Sequence, residues 1–166
     1  AHTGAIVENY NTVFYVSGTI AADVHPRAYF DDKINVPVKD LFVFLGDDYT
    51  LTNESGFFSF PKRNGKLRFS VQGARSDVNS CPEVQVNWLK ALSDLADGSK
   101  CGSTDRVFQT DISGEGEGIQ IKLTEKVVSN AELDVYNHVN EVVDYSISYL
   151  DNPWFYESLP AFVNIE

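Results

Sequence analysis

The chain has no methionine, two cysteines, three histidines and six prolines in 166 residues. Its longest apolar runs, such as Leu41 to Leu45, stop at about five residues, whereas a membrane-spanning helix needs roughly twenty. A transmembrane helix is therefore excluded. Basic residues are also scarce: 13 Lys and Arg stand against 24 Asp and Glu, and the net charge of −11 repels phosphate backbones and anionic headgroups. Nucleic acid and membrane insertion are set aside as partners on that ground. The imidazoles His2, His25 and His138 stand at no HExxH, HxH or HxxxH spacing, so a histidine-based metal site has no support. No GxSxG elbow marks a nucleophilic serine. The stretch 113–118, SGEGEG, has the glycines of a phosphate loop but lacks its Lys-Ser/Thr ending and places glutamates where phosphate would sit, so it is read as a turn. No basic segment followed by an apolar one opens the chain, which is expected to be a mature or excised segment. No enzyme is expected from this inventory.

What is present is the composition of one globular domain. Apolar residues make up 43% and charged residues 22%, and a chain of this length buries a sizeable core. Thr12 to Ile20 is β-branched and aromatic throughout and predicts a strand; Val36 to Leu45 predicts a second, buried at its apolar end and broken by Gly46-Asp47-Asp48. Gly56 to Pro61 and Lys66 to Gln72 flank Asn64-Gly65 and predict a hairpin. In its second arm Leu67, Phe69 and Val71 should face the core while Arg68, Ser70 and Gln72 face water. Arg106 to Ile112 and Ile119 to Leu123 predict two further strands about the glycine-rich turn.

Two stretches change period. From Pro82 to about residue 97, Val84, Trp88, Ala91, Leu92 and Leu95 recur at helical spacing, with Pro82 just inside the start and Gly98 just past the end. A second helix opens on Ser129 and Glu132 at capping-box spacing, carries Val135, Val139, Val143, Ile147 and Leu150 as its apolar stripe, and stops at Asn152-Pro153. A strand-like tail follows at Ala161 to Ile165. Trp154, Phe155 and Tyr156 are read as packing that docks the helix, with a stacking platform for sugar or peptide as the other reading. The fold class expected is mainly β: an antiparallel β-sandwich over about residues 12–125, with one inserted helix at 82–97 and a C-terminal helix and tail at 129–166, in a single domain 1–166.

Several carboxylates fall on predicted loops at the sandwich ends: Asp31 and Asp32, Asp47 and Asp48, and Glu54. Hard oxygen ligands suit Ca²⁺, and these five are the candidate calcium ligands, with a solvated acidic surface as the bland alternative. Asn53-Glu54-Ser55 is the single glycosylation sequon.

The run VSGTI, VPVKDLFVFL and YTLTNESGFFSF, over about residues 13–72, resembles the carboxypeptidase-regulatory-like, transthyretin-like sandwich, whose T-x-x-x-G-x-F-x-F strand fills the core with alternate aromatics. That resemblance implies a non-catalytic module. The stretch from Ala131 to Glu166 is similar to the helix and strand that precede the catalytic core of large secreted thermolysin- and fungalysin-type metallopeptidases. It implies an N-terminal or pro-region rather than the zinc-bearing core.

The function expected is an extracellular or cell-surface, non-catalytic module, accessory or N-terminal to a larger secreted protein, that meets a protein partner or its own downstream domain and binds calcium. The alternative is a self-assembling structural or adhesive subunit, in which Ala5 to Val16 or Phe162 to Ile165 adds a strand to a neighbour's sheet. An even cysteine count without CxxC predicts a disulfide between Cys81 and Cys101. Thiol titration of the denatured, unreduced protein should find no free thiol, and two free thiols would refute the bond.

Overall fold

The computed structural model describes residues 16–61, 64–80, 102–103, 108–112, 116–125, 127–150 and 157–163. The predicted helix at 82–97, Cys81, Cys101 and the aromatic triplet 154–156 lie outside them. Eleven strands and one helix, α1, are present among the described residues, and the protein is mainly β.

β1 (Val16–Val24) is the centre of the first sheet. Its alternate residues Val16, Ile20, Ala22 and Val24 are buried, and this period-two pattern runs on past Ile20, where the sequence reading ended the strand. One edge of β1 pairs in parallel with β10 (Gly116–Leu123). The other edge is shared: β5 (Phe57–Phe60) takes its first half and β2 (Ile34–Pro37) its second, both antiparallel. Asp23 ties the three strands β1, β2 and β10 from the outer face. Lys122 reaches its carboxylate at 2.8 Å and the Asn35 amide donates at 2.9 Å, and these bonds hold the carboxyl below the ordinary aspartate range.

The second sheet runs β11-β7-β6-β3-β4. β3 (Leu41–Leu45) and β4 (Asp48–Leu51) form a hairpin closed by Gly46 and Asp47. Gly46 adopts a positive φ of 64°, which glycine reaches without steric cost. β6 (Gly65–Gly73) pairs with β3 on one edge, and with β9 (Phe108–Ile112) and β7 (Ser76–Ser80) on the other. β7 also pairs with the two-residue β8 (Gly102–Ser103) and in parallel with β11 (Leu159–Val163). The strand-like tail is thus present and engaged through one edge.

The strands depart from the sequence expectation in four respects. Val36 to Leu45 is two strands in two different sheets, because Asp40 takes a φ of 56° and turns the chain between them. Gly56 to Gln72 is no hairpin: β5 and β6 also belong to different sheets. Both edges of β6 are occupied by β3, β9 and β7, while Phe58 and Phe60 on one strand and Leu67, Phe69 and Val71 on the other point into the same core. β9 and β10 likewise belong to different sheets, and Gly116, Glu117 and Gly118 of the expected turn lie in β10. The inward and outward sets of β6 are as expected, with Arg68 exposed and Phe69 stacked on Phe108 at 4.7 Å. The sheets are not antiparallel throughout either, since β1–β10 and β7–β11 are parallel and each sheet is mixed.

α1 (Asn130–Leu150) begins at the predicted capping box. The Ser129 N–H and hydroxyl both donate to Glu132 Oε2, at 2.8 and 2.6 Å, and the Glu132 N–H donates back to Ser129 Oγ at 3.3 Å. Reciprocal bonds of this kind satisfy amides that the first helical turn leaves without partners. The buried face differs from the predicted stripe. Leu133, Tyr136, Asn140, Val143 and Ser146 face the sheets, while Val135, Val139 and Ile147 are half-buried and Leu150 is exposed. Tyr136 and Asn140 on this face have fixed partners in the crossover between the sheets, which an apolar periodicity cannot register.

That crossover, Val38 to Asp40, is closed by Thr52, itself buried. The Thr52 hydroxyl donates to Val38 O at 2.7 Å and accepts from the Leu41 N–H at 2.9 Å, and the Thr52 backbone bonds Asp40 and Leu41. Thr52→Val keeps the shape and strands both groups, so it should cost about 1–3 kcal/mol in denaturant melts. Thr52→Ser keeps the hydroxyl and should lose clearly less; equal losses would refute the clasp.

Candidate functional site

The polar groups of the protein converge where α1 lies against the crossover. Tyr136 Oη donates to Lys39 O at 3.0 Å and Asn140 Nδ2 donates to the same carbonyl at 3.4 Å. The Asn140 side-chain oxygen accepts from Ser76 Oγ at 3.1 Å, so one asparagine joins the crossover, β7 and the helix. Around these run the charges. The Lys39 ammonium is paired with Asp144 and lies 3.8 Å from Glu54, and Arg75 Nε stands 3.9 Å from Asp40 and 4.0 Å from Asp144. Burial is the largest influence on Tyr136, and with the nearby Asp40 charge it pushes the phenol well above its ordinary range, against the opposing hydrogen bond from Asn140. The phenol therefore stays protonated and acts as a donor.

Beside this network is a cleft of about 220 Å³, with Val24, Val38 and Leu133 among its apolar lining and Lys39, Glu54 and Glu141 among its charged groups. Sites that enclose a drug-sized ligand run to roughly 300–1,000 Å³. This cleft is smaller than that range.

A second anchor holds the start of the helix. The His25 N–H donates to Asp134 Oδ1 at 2.8 Å and His25 Nδ1 lies 2.6 Å from Oδ2. One carboxylate therefore grips both the backbone and the ring of a buried histidine at the end of β1. His138, one turn further along, meets Glu141 at 3.5 Å at the surface. The sequence offered no signal for the His25–Asp134 pair, whose members are 109 residues apart.

The five candidate calcium ligands are not brought together. Asp31 lies in the β1–β2 connection, within 3.8 Å of Arg27, and accepts from the Ala28 N–H; Asp32 is exposed beside it. Asp47 and Asp48 lie at one end of β4 and Glu54 lies beyond the other, a strand length of about 13 Å. Glu54 there faces Lys39. Among the described residues no three His, Cys, Asp or Glu side chains gather as a metal group. The sequon asparagine, Asn53, is exposed, and its side-chain oxygen accepts from the Ser55 N–H and Oγ and the Phe57 N–H, shaping the β4–β5 turn.

Comparison of the chain with protein-family models, curated proteins and solved structures finds no match.

Gly73 is the residue that lets this junction close, since a Cβ there would overlap both Asp40 O and the Tyr136 hydroxyl. Gly73→Ala should destabilise by about 3 kcal/mol. Tyr136→Phe, which removes one of two donors to Lys39 O, should cost only about 1 kcal/mol. Thermal or urea melts giving the reverse order would refute the described packing.

Proposed function

We propose that this chain is a non-catalytic β-sandwich module of a larger secreted protein, and that α1 is the element through which it meets a protein partner or its own downstream domain. The observation that carries this reading is the outer face of α1. Val142, Tyr145 and Tyr149 are 59%, 63% and 72% exposed, and the two tyrosine rings lie against each other, tilted, with centroids 4.4 Å apart. Contiguous apolar groups left in water on one helix face mark contact surfaces.

The non-catalytic half of the reading rests on how the polar side chains are employed. Tyr136, Asn140, Lys39 and Asp144 are each committed to a bond that fastens the helix to the crossover, and Ser76 ties it to β7. His25 and Asp134 fasten the helix start. These groups build a rigid mount. The extracellular setting is proposed from the acidic composition and the cysteine pair, and the sandwich from the single buried cluster to which both sheets contribute.

The test compares residues 1–166 with the full product of the reading frame that encodes them. Hydroxyl-radical footprinting should label Tyr145 and Tyr149 strongly in the isolated chain and several-fold less in the full product or in its complex. Equal labelling in every natural form would overturn the docking role. A reading frame that adds no further domain on either side of residues 1–166 would overturn the larger-protein half.

A further inference from the structure

Four charged side chains from four separate parts of the chain meet at the crossover. Lys39 belongs to the crossover itself, Glu54 to the β4–β5 turn, Arg75 to the link between β6 and β7, and Asp144 to α1. The Lys39 amine is in contact with Asp144 Oδ2 and lies 3.8 Å from Glu54 Oε2, while Arg75 Nε stands 4.0 Å from Asp144 Oδ1. Arg75 Nε is buried and makes no hydrogen bond among the described residues; its other neighbour is the Asp40 carboxylate at 3.9 Å. An ordinary ion pair accounts for the lysine and the aspartate, but it leaves this guanidinium N–H without a role. The pair is also held from behind. The Lys39 carbonyl accepts from Tyr136 and Asn140, which stand about two turns and one turn before Asp144 on the same helix. One rigid element therefore positions both the lysine backbone and the carboxylate that its side chain meets. Reacting groups fixed in good orientation behave as if present at roughly 10⁵–10⁸ M, which is what allows an amide to form against the surrounding water.

We propose that Lys39 and Asp144 condense to an intramolecular amide, an isopeptide bond, with Glu54 as the proton carrier and Arg75 as the group that holds the carboxyl oxygen. Glu54 Oε2 accepts a proton from the Lys39 ammonium. The freed amine attacks Asp144 Cγ, and the new N–C bond forms as the bond from Cγ to Oδ2 breaks. Oδ1, which faces Arg75, takes the developing negative charge and becomes the amide oxygen. Oδ2 leaves as water with two of the three ammonium protons, one of them returned by Glu54. Nothing is oxidised or reduced, and two charges become one neutral amide. The Lys39 and Asp144 side chains are only 22% and 34% exposed, and Val38 and Leu133 line the cleft beside Lys39. A neutral amide has less hydration to lose there than two charges. Glu54 is exposed, so the released water has an open way out. The bond closes a ring over residues 39–144 and fastens α1 to the crossover covalently, whichever partner the helix meets. A pull on the two ends of the chain then passes through the bond and spares the segment between.

The test is the intact mass of the whole chain, denatured and reduced after folding at neutral pH. It should fall one water short of the sequence mass, and proteolysis should release a branched peptide that joins Lys39 to Asp144. Lys39→Arg keeps a cation for Asp144 but offers no amine, so this variant should fold and show the full sequence mass. Glu54→Gln, shown to be folded by circular dichroism, should be recovered mostly unlinked, because losing a general base slows such a step by about 10²–10⁴-fold. A full sequence mass in the unsubstituted chain after prolonged incubation leaves an ordinary ion pair and overturns the inference. A missing water that persists in Lys39→Arg belongs to another site and overturns it too, as does a branch that maps to Glu54 in place of Asp144. Full linkage in Glu54→Gln overturns the proton transfer assigned to Glu54.

Discussion

The carbonyl of Lys39 is the point on which the architecture turns. It sits in the three-residue crossover between β2 in one sheet and β3 in the other, and it accepts from both Tyr136 and Asn140 of the helix. The next carbonyl, of Asp40, accepts from the Ala74 N–H that follows β6, while Val38 bonds Ile20 of β1. Both sheets and the helix are thus referred to one short segment. A left-handed backbone at Asp40 is required to make the turn, and aspartate is among the few side chains that tolerate it. Desolvated peptide groups at such a junction must each find a partner, and the Thr52 hydroxyl is placed to serve two of them.

The chain reaches this arrangement by repeatedly leaving one sheet for the other. It crosses at β2–β3, at β4–β5, at β5–β6 and from β9 to β10, and α1 carries it from β10 back to β11. Strands adjacent in sequence therefore often face each other across the core instead of pairing. Parallel pairs such as β1–β10 need long connections, and closing them costs loop entropy before the contacts reward it. The parallel partners of β1 and β7 come from the C-terminal part of the chain, so the buried cluster is completed only after most of the sequence is in place.

These crossings also explain what could be read from the residues and what could not. Period-two alternation in Leu67 to Gln72 gave the correct inner and outer faces, and Ser129 with Glu132 gave the correct helix start, because both are local properties of a few neighbouring residues. Alternation says which face is buried but not which strand lies alongside. A hairpin partner and a strand across the core demand the same pattern, so only the Asn64-Gly65 turn signal pairs β5 with β6 in the sequence. Val36 to Leu45 read as one strand because nothing in the residue types around Lys39 and Asp40 distinguishes a mid-strand polar pair from a crossover. The junction that organises the protein was invisible for the same reason: His25–Asp134, Ser76–Asn140 and Tyr136–Lys39 join residues far apart in the chain. On α1 the predicted stripe shares Val143 with the buried face, whose Tyr136, Asn140 and Glu132 are polar residues matched to specific partners.

The two faces of α1 are physically linked. A helix packed by apolar contacts alone can rotate or slide at modest cost, because the hydrophobic effect has no direction. Hydrogen bonds and charge pairs do have direction. The capping box and Asp134 fix the first turns, Tyr136 and Asn140 fix the middle against Lys39 O, and Asp144 fixes the following turn against Lys39 and Arg75. Clamping three levels of one helix leaves little freedom about its axis, so the orientation of Val142, Tyr145 and Tyr149 follows from bonds made on the opposite side. In the proposed docking role, a surface held in place before a partner arrives loses less conformational entropy on binding, and more of the contact energy then remains as affinity. The polar residues that weaken the inner face as a hydrophobic stripe are thus the same ones that make the outer face a rigid platform.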